Sequence, residues 1–300
     1  DAPELLDTRL FTLPAHETAD LLTLFTAAAE PPAPARVEQP PAEHPANSTD
    51  TGPHVLLEVF GAIRITYTGR RAPVDLTSVT TPKHRELLAF LACHPDGVRR
   101  EALNEAIWPD ANPERPYNNL HYTLSTLRKA MATATDGQIT NLVANTGGRY
   151  RLDTESVDTD YARLRAAIAR LSSAEGRRQE TAFFLEAYRG DLAEDISTLW
   201  LDAPREAIRR DMLDALDTLA RSEKDPGVRL KLLERIRGID PYAEEAYREI
   251  MRTQAQSGQR DAIPRTLDLL SAKLGEIDEK PDADTVALAG ALQTSEARSE

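Results

Sequence analysis

Between residues 54 and 76 the chain alternates apolar and polar side chains. Leu57, Val59, Ile63, Ile65 and Tyr67 share one parity, and Gly61 and Gly69-Arg70-Arg71 act as turn signals. A period of two puts one set of side chains on one face, so a small antiparallel sheet of about three strands is predicted. The period changes at Thr80-Thr81-Pro82, an N-cap followed by an N1 proline. Leu87, Leu88, Leu91 and Ala92 then recur at helical spacing until His94-Pro95-Asp96-Gly97 stops the helix. A short second helix is predicted over 102–108, ended by Pro109, and a third from about 114–117 to 134. Two strand-like strings, 139–143 and 149–152, flank Asn145-Thr146-Gly147-Gly148, which predicts a hairpin.

From Val157 onward the pattern reads as helical throughout, over 158–171, 176–189, 203–222, 226–238, 241–257, 260–274 and 283–293. Short breaks at Gly190, Asp225-Pro226, Asp240-Pro241 and Gly258 imply antiparallel helix pairs. Upstream, residues 1–30 carry scattered apolar positions and read as a peripheral helical segment. Residues 31–53 hold seven prolines and few large apolar groups, the composition of a disordered linker. The apolar run over 21–29 is far shorter than the roughly 20 residues of a membrane span. The chain opens on Asp1 rather than Met, which reads as a piece of something longer, so an upstream sensing or membrane-anchoring segment stays open.

Charge distribution changes the picture. The net charge of −13 opposes binding to a polyanion. By segment, however, it is −7 over 1–53, +2 over 54–153 and −8 over 154–300. Only the middle segment is positive, and its basic residues are clustered. The single cysteine, Cys93, lies in an apolar string and reads as a buried thiol. A cytoplasmic location fits.

Leu120, Leu124, Leu127 and Met131 share one face of the third helix and must pack inward. The opposite face carries Asn118, Tyr122, Ser125 and Lys129, flanked by Arg115, Asn119, His121 and Arg128. Amides, hydroxyls and cations are the groups that read base edges and phosphates. For an isolated helix, plain solvation of a polar face is the default explanation.

The order of elements weighs against that default. Strands, then Thr81-Pro82-Lys83-His84-Arg85-Glu86, then Glu101-Ala102-Leu103-Asn104-Glu105-Ala106-Ile107-Trp108-Pro109, then 113–131, then 145–152 resemble the OmpR-type winged helix of SARP-type regulators, the antibiotic regulatory proteins of actinobacteria. The stretch from Val157-Asp158 to Leu274-Gly275 is similar to the bacterial transcriptional activator domain of that family, whose helices are tetratricopeptide-like. The most repeat-like part is Asp240-Pro241-Tyr242, Ser257-Gly258-Gln259 and Leu269-Leu270-Ser271. Two features depart from the family: Tyr117 stands where a basic residue is usual, and Pro264 falls inside a helix that is normally unbroken.

The resemblance implies a mainly α protein with a small β component: a winged helix-turn-helix (α+β) followed by an all-α, tetratricopeptide-like domain. The implied divisions are 1–30, 31–53, a DNA-binding domain over 54–153, a bacterial transcriptional activator domain over 154–276, and a C-terminal helix and tail over 277–300. It implies a sequence-specific regulator of transcription, with activation the expected sign. The third helix would enter the major groove, the hairpin would place Arg149 and Arg151 against DNA, and Thr81, Lys83 and Arg85 would meet a phosphate at the start of the first helix. Double-stranded DNA, RNA polymerase and a second copy of the chain are the implied partners. Arg70 and Arg71 read as decoration of a strand turn, and Trp108 and Tyr150 as core. A scaffold that has lost DNA binding and works through its acidic helices is the alternative. No phosphate loop, nucleophile elbow, zinc-protease motif or Cys/His cluster with metal spacing is present in the sequence, so no enzyme, metal or cofactor is expected.

Overall fold

The computed structural model describes residues 55–69, 72–111 and 118–294. The expectations for 1–30, for the linker and for Arg70, Arg71, Arg115 and Tyr117 lie outside the described residues. So do the side chain of Asn118 and the last six residues of the tail.

The alternating segment forms β1 (Val55–Glu58), β2 (Arg64–Tyr67) and β3 (Val74–Asp75), paired antiparallel in sequence order. Val55, Leu57, Val59, Ile63, Ile65 and Tyr67 are all buried. Gly61 turns the chain at φ +82°, a conformation that suits glycine. A fourth strand, β7 (Val157–Thr159), joins this sheet parallel to β1, giving the order β3-β2-β1-β7. The helical reading from Val157 onward is therefore corrected by three residues: they extend the first sheet before the helices begin.

Helix α1 (Pro82–Ala92) starts at Thr81, whose hydroxyl accepts the His84 N–H, and Pro82 occupies the first turn, where no N–H is needed. Then come β4 (Val98–Arg99), α2 (Arg100–Ile107) and α3 (Asn118–Ala134). The hairpin is β5 (Val143–Thr146) and β6 (Arg149–Leu152), with β4 on its outer side in the order β4-β6-β5. Its two-residue turn is Gly147-Gly148, at φ +61° and +78°. That sign at both central positions matches the twist of a hairpin and is open to glycine. Leu120, Leu124, Leu127 and Met131 are buried against the rest of the core, as the spacing of the third helix requires.

Among the described residues seven α-helices follow: α4 (Asp160–Arg170), α5 (Ala174–Ala187), α6 (Asp202–Ser222), α7 (Pro226–Ile239), α8 (Glu244–Gln256), α9 (Ile263–Gly275) and α10 (Ala283–Thr294). Consecutive helices from α6 to α9 pack together, and α10 returns onto α8 and α9. Asp225 caps α7 by accepting the Val228 N–H at 2.8 Å. Pro264 does not interrupt its helix: α9 begins at Ile263, so the proline sits in a first turn.

One core runs through both regions, from Val55 to Ile250. The Asp160 carboxylate accepts the backbone N–H groups of Val59 at 2.8 Å and Phe60 at 3.2 Å. The Phe60 ring stacks on Tyr161 and tilts against Tyr188. Asp195 accepts the Ile63 N–H at 3.0 Å, and Arg205 donates to the carbonyls of Leu192, Ala193 and Ile196. With sheet, rings and polar groups shared across this seam, the two regions should melt together. Phe60→Ala should cost about 3–5 kcal/mol and lower a single transition seen equally by calorimetry and near-ultraviolet circular dichroism. Loss of one region's signal ahead of the other's would contradict the shared core.

Candidate nucleic-acid interface

The exposed face of α3 is set by its buried one. His121, Tyr122, Ser125, Arg128 and Lys129 are exposed, and Tyr122 retains 71% of its surface in solvent. A large ring left this open on a helix with a fully buried opposite face is available to a partner. Asn119 is half-buried near the start of the helix. Arg128 donates to Asn141 Oδ1 at 3.2 Å, which steadies its stem and leaves the guanidinium exposed. No acidic residue occurs among the 17 of α3.

The position of α3 is tied to α1 through one imidazole. His84 is buried; its Nδ1 accepts the Thr81 N–H at 3.2 Å, and its Nε2 lies 2.9 Å from the Thr126 hydroxyl. Since Nδ1 accepts, Nε2 carries the proton and donates to Thr126, whose own hydroxyl donates to the Tyr122 carbonyl at 2.9 Å. Thr126 is a residue that sequence reasoning passed over, because its role depends on a contact across two helices.

On the hairpin sheet, Arg149 and Arg151 are exposed on one face while Tyr150 and Leu152 point inward. Arg99 lies opposite Arg149 in the β4–β6 register and is also exposed. Like charges facing each other across strands are unfavourable without a counter-charge, so this face favours an anion. Arg149 Nε donates to the Asp96 carbonyl at 3.3 Å. Arg99 was not among the expected residues: β4 has only two residues and leaves no alternation to find.

At the start of α1 the three expected residues make contacts within the fold. The Thr81 hydroxyl is engaged by the cap. Lys83 donates to Glu86 at 2.8 Å and to the Ile107 carbonyl at 2.7 Å. Arg85 donates to the Thr80 carbonyl at 3.1 Å and pairs with Asp195 at 3.7 Å. These cations are used within the fold, where they join α1 to α2 and to the helical region. Among the described residues no cluster of His, Cys, Asp and Glu could hold a metal ion, and no helix is long and apolar enough to cross a membrane.

Sheet, three helices and a glycine-turned hairpin on a helical array make this a winged helix-turn-helix protein with a tetratricopeptide-like second region. Residues 152–293 match the family described as bacterial transcriptional activator domain. The transcriptional regulatory protein MoaR1 of Mycobacterium tuberculosis is 27% identical over 245 residues, covering 76% of each chain, and MoaR1 of Mycobacterium bovis matches to the same extent. The fold is also like that of Mycobacterium tuberculosis EmbR, solved in complex with a low-affinity phosphopeptide. That likeness has a TM-score of 0.57 at 22% identity and covers 81% of this chain. This chain spans 65% of the EmbR chain, just under two thirds. Over residues 152–293 the chain thus matches the bacterial transcriptional activator domain, and along most of its length it is similar to transcriptional regulatory proteins.

Burial holds the His84 imidazole below its ordinary value of 6.5, against an opposing hydrogen bond with the Thr123 backbone. The unfolded chain takes up a proton as pH falls through 6.5 and the folded chain resists, so His84's contribution is complete above that pH and lost below it. Urea titrations between about pH 7 and 5 should show the wild-type chain losing stability more steeply than His84→Gln. Parallel profiles would remove the imidazole from the α1–α3 contact.

Proposed function

We propose that the chain binds double-stranded DNA and reads its sequence with α3 in the major groove. The observation that carries this reading is the exposed, acid-free face of α3 in a chain whose net charge is −13. A merely solvated helix in so acidic a protein has no reason to exclude every carboxylate, whereas a helix facing phosphates does. Asn118, Asn119, His121, Tyr122 and Ser125 are the base-reading set, with Arg115 and Tyr117 just ahead of them. Arg128, Lys129 and the wing residues Arg99, Arg149 and Arg151 supply phosphate or minor-groove contacts.

On this reading residues 54–153 are the DNA-binding part and 154–276 the protein-contact part. The helical region meets RNA polymerase or a second protomer, the expected sign is activation, and the site of action is the cytoplasm. An upstream sensing or anchoring segment would act through the same body. A second reading, an interaction scaffold without DNA binding, draws on the −8 charge of 154–300 and on the intramolecular engagement of Lys83 and Arg85.

Selection of the full chain against a random duplex pool at two salt concentrations separates the two. An enriched motif with salt-sensitive affinity supports the reader; no enrichment selects the scaffold. Lys129→Ala or Arg151→Ala should weaken binding to all sequences and reduce the salt slope by about 1. Asn119→Ala and Tyr122→Ala should instead change which sequences are enriched. Equal effects of both sets on every duplex would remove α3 as the reading element.

A further inference from the structure

A cleft of about 680 Å³ opens between α1, α2, the chain after α2 and the Thr198–Trp200 turn of the helical region. That volume suits a small organic molecule. Both of the chain's tryptophans, Trp108 and Trp200, line it, together with Ile107 and Leu199. Leu199 is 92% exposed, an uncovered apolar side chain at this cleft. The Thr198 hydroxyl is buried on the same wall and, among the described residues, has no hydrogen-bond partner.

Charge selects the kind of occupant. The buried Glu86 is neutralised by Lys83 and also accepts the Trp200 indole N–H at 3.4 Å. Glu105 and Asp110 lie on the cleft as well, are exposed, and have no ion-pair partner among the described residues. Two carboxylates without an ion-pair partner among the described residues, beside two indoles, favour a cation, through Coulomb attraction and the negative faces of the rings. We infer that this cleft binds a small organic cation with an apolar body, held between the winged helix and the helical region. This site is independent of whether α3 reads DNA, although Asn119 at the start of α3 also borders it.

Because the chain has two tryptophans and both line the cleft, ¹⁵N-indole labelling of the full chain reports on this place alone. The probes are 4-phenylbutylamine and 4-phenylbutyrate, which share an apolar body and differ in charge. The amine should shift both indole signals saturably, and the carboxylate should not. The double variant Glu105→Gln/Asp110→Asn, changed only at exposed positions, should bind the amine about fivefold more weakly. No saturable shift with the amine overturns the site. Equal binding of the two probes, or undiminished amine binding by the folded double variant, overturns the cation preference.

Discussion

Asp160 joins parts of the chain that lie a hundred residues apart: its carboxylate takes the N–H groups of Val59 and Phe60 at the end of β1 while its backbone opens α4. The group is expensive to bury, and burial raises its pKa despite those two hydrogen bonds and the nearby Arg189. The return is geometric. With β7 paired to β1 and Phe60 packed on Tyr161 and Tyr188, the helical region cannot turn independently of the sheet beneath it. Arg85 with Asp195, and Trp200 with Glu86 and Phe90, extend the same seam to α1. A load on the helical region therefore meets the body that carries α3, not a hinge.

That coupling gives meaning to where the cations are spent. Lys83 and Arg85 serve the seam, and Arg128, Lys129, Arg99, Arg149 and Arg151 stand exposed on α3 and on the β4–β6 face. The imidazole of His84 ties α3, which carries part of that set, to α1.

Much of this was legible in the sequence because the signals are local. Thr81-Pro82 and Asp225-Pro226 mark helix starts by hydrogen bonds within one turn, and the spacing of Leu120, Leu124, Leu127 and Met131 fixes which face of α3 is free. The remainder depends on distant partners. Val157-Asp158-Thr159 becomes a strand because β1 is there to pair with it, which no local pattern announces. The Ile107 carbonyl and Asp195, intramolecular partners of Lys83 and Arg85, lie outside α1 and leave no local pattern. Pro264 reads as a break unless the helix is known to start one residue earlier.

The central claim, that α3 is the surface that meets DNA, can be tested by directed cleavage. Burial, aided by Asp160, pushes the Cys93 thiol up to about 12, so the native cysteine stays unreactive near neutral pH. Ser125→Cys would then carry a DNA-cleaving iron chelate alone. On a duplex enriched by the full chain, the account predicts cuts confined to a few adjacent nucleotides across one major groove, and none from wild-type protein treated the same way. Cuts scattered evenly along the duplex, or absent while the duplex stays bound, would contradict it.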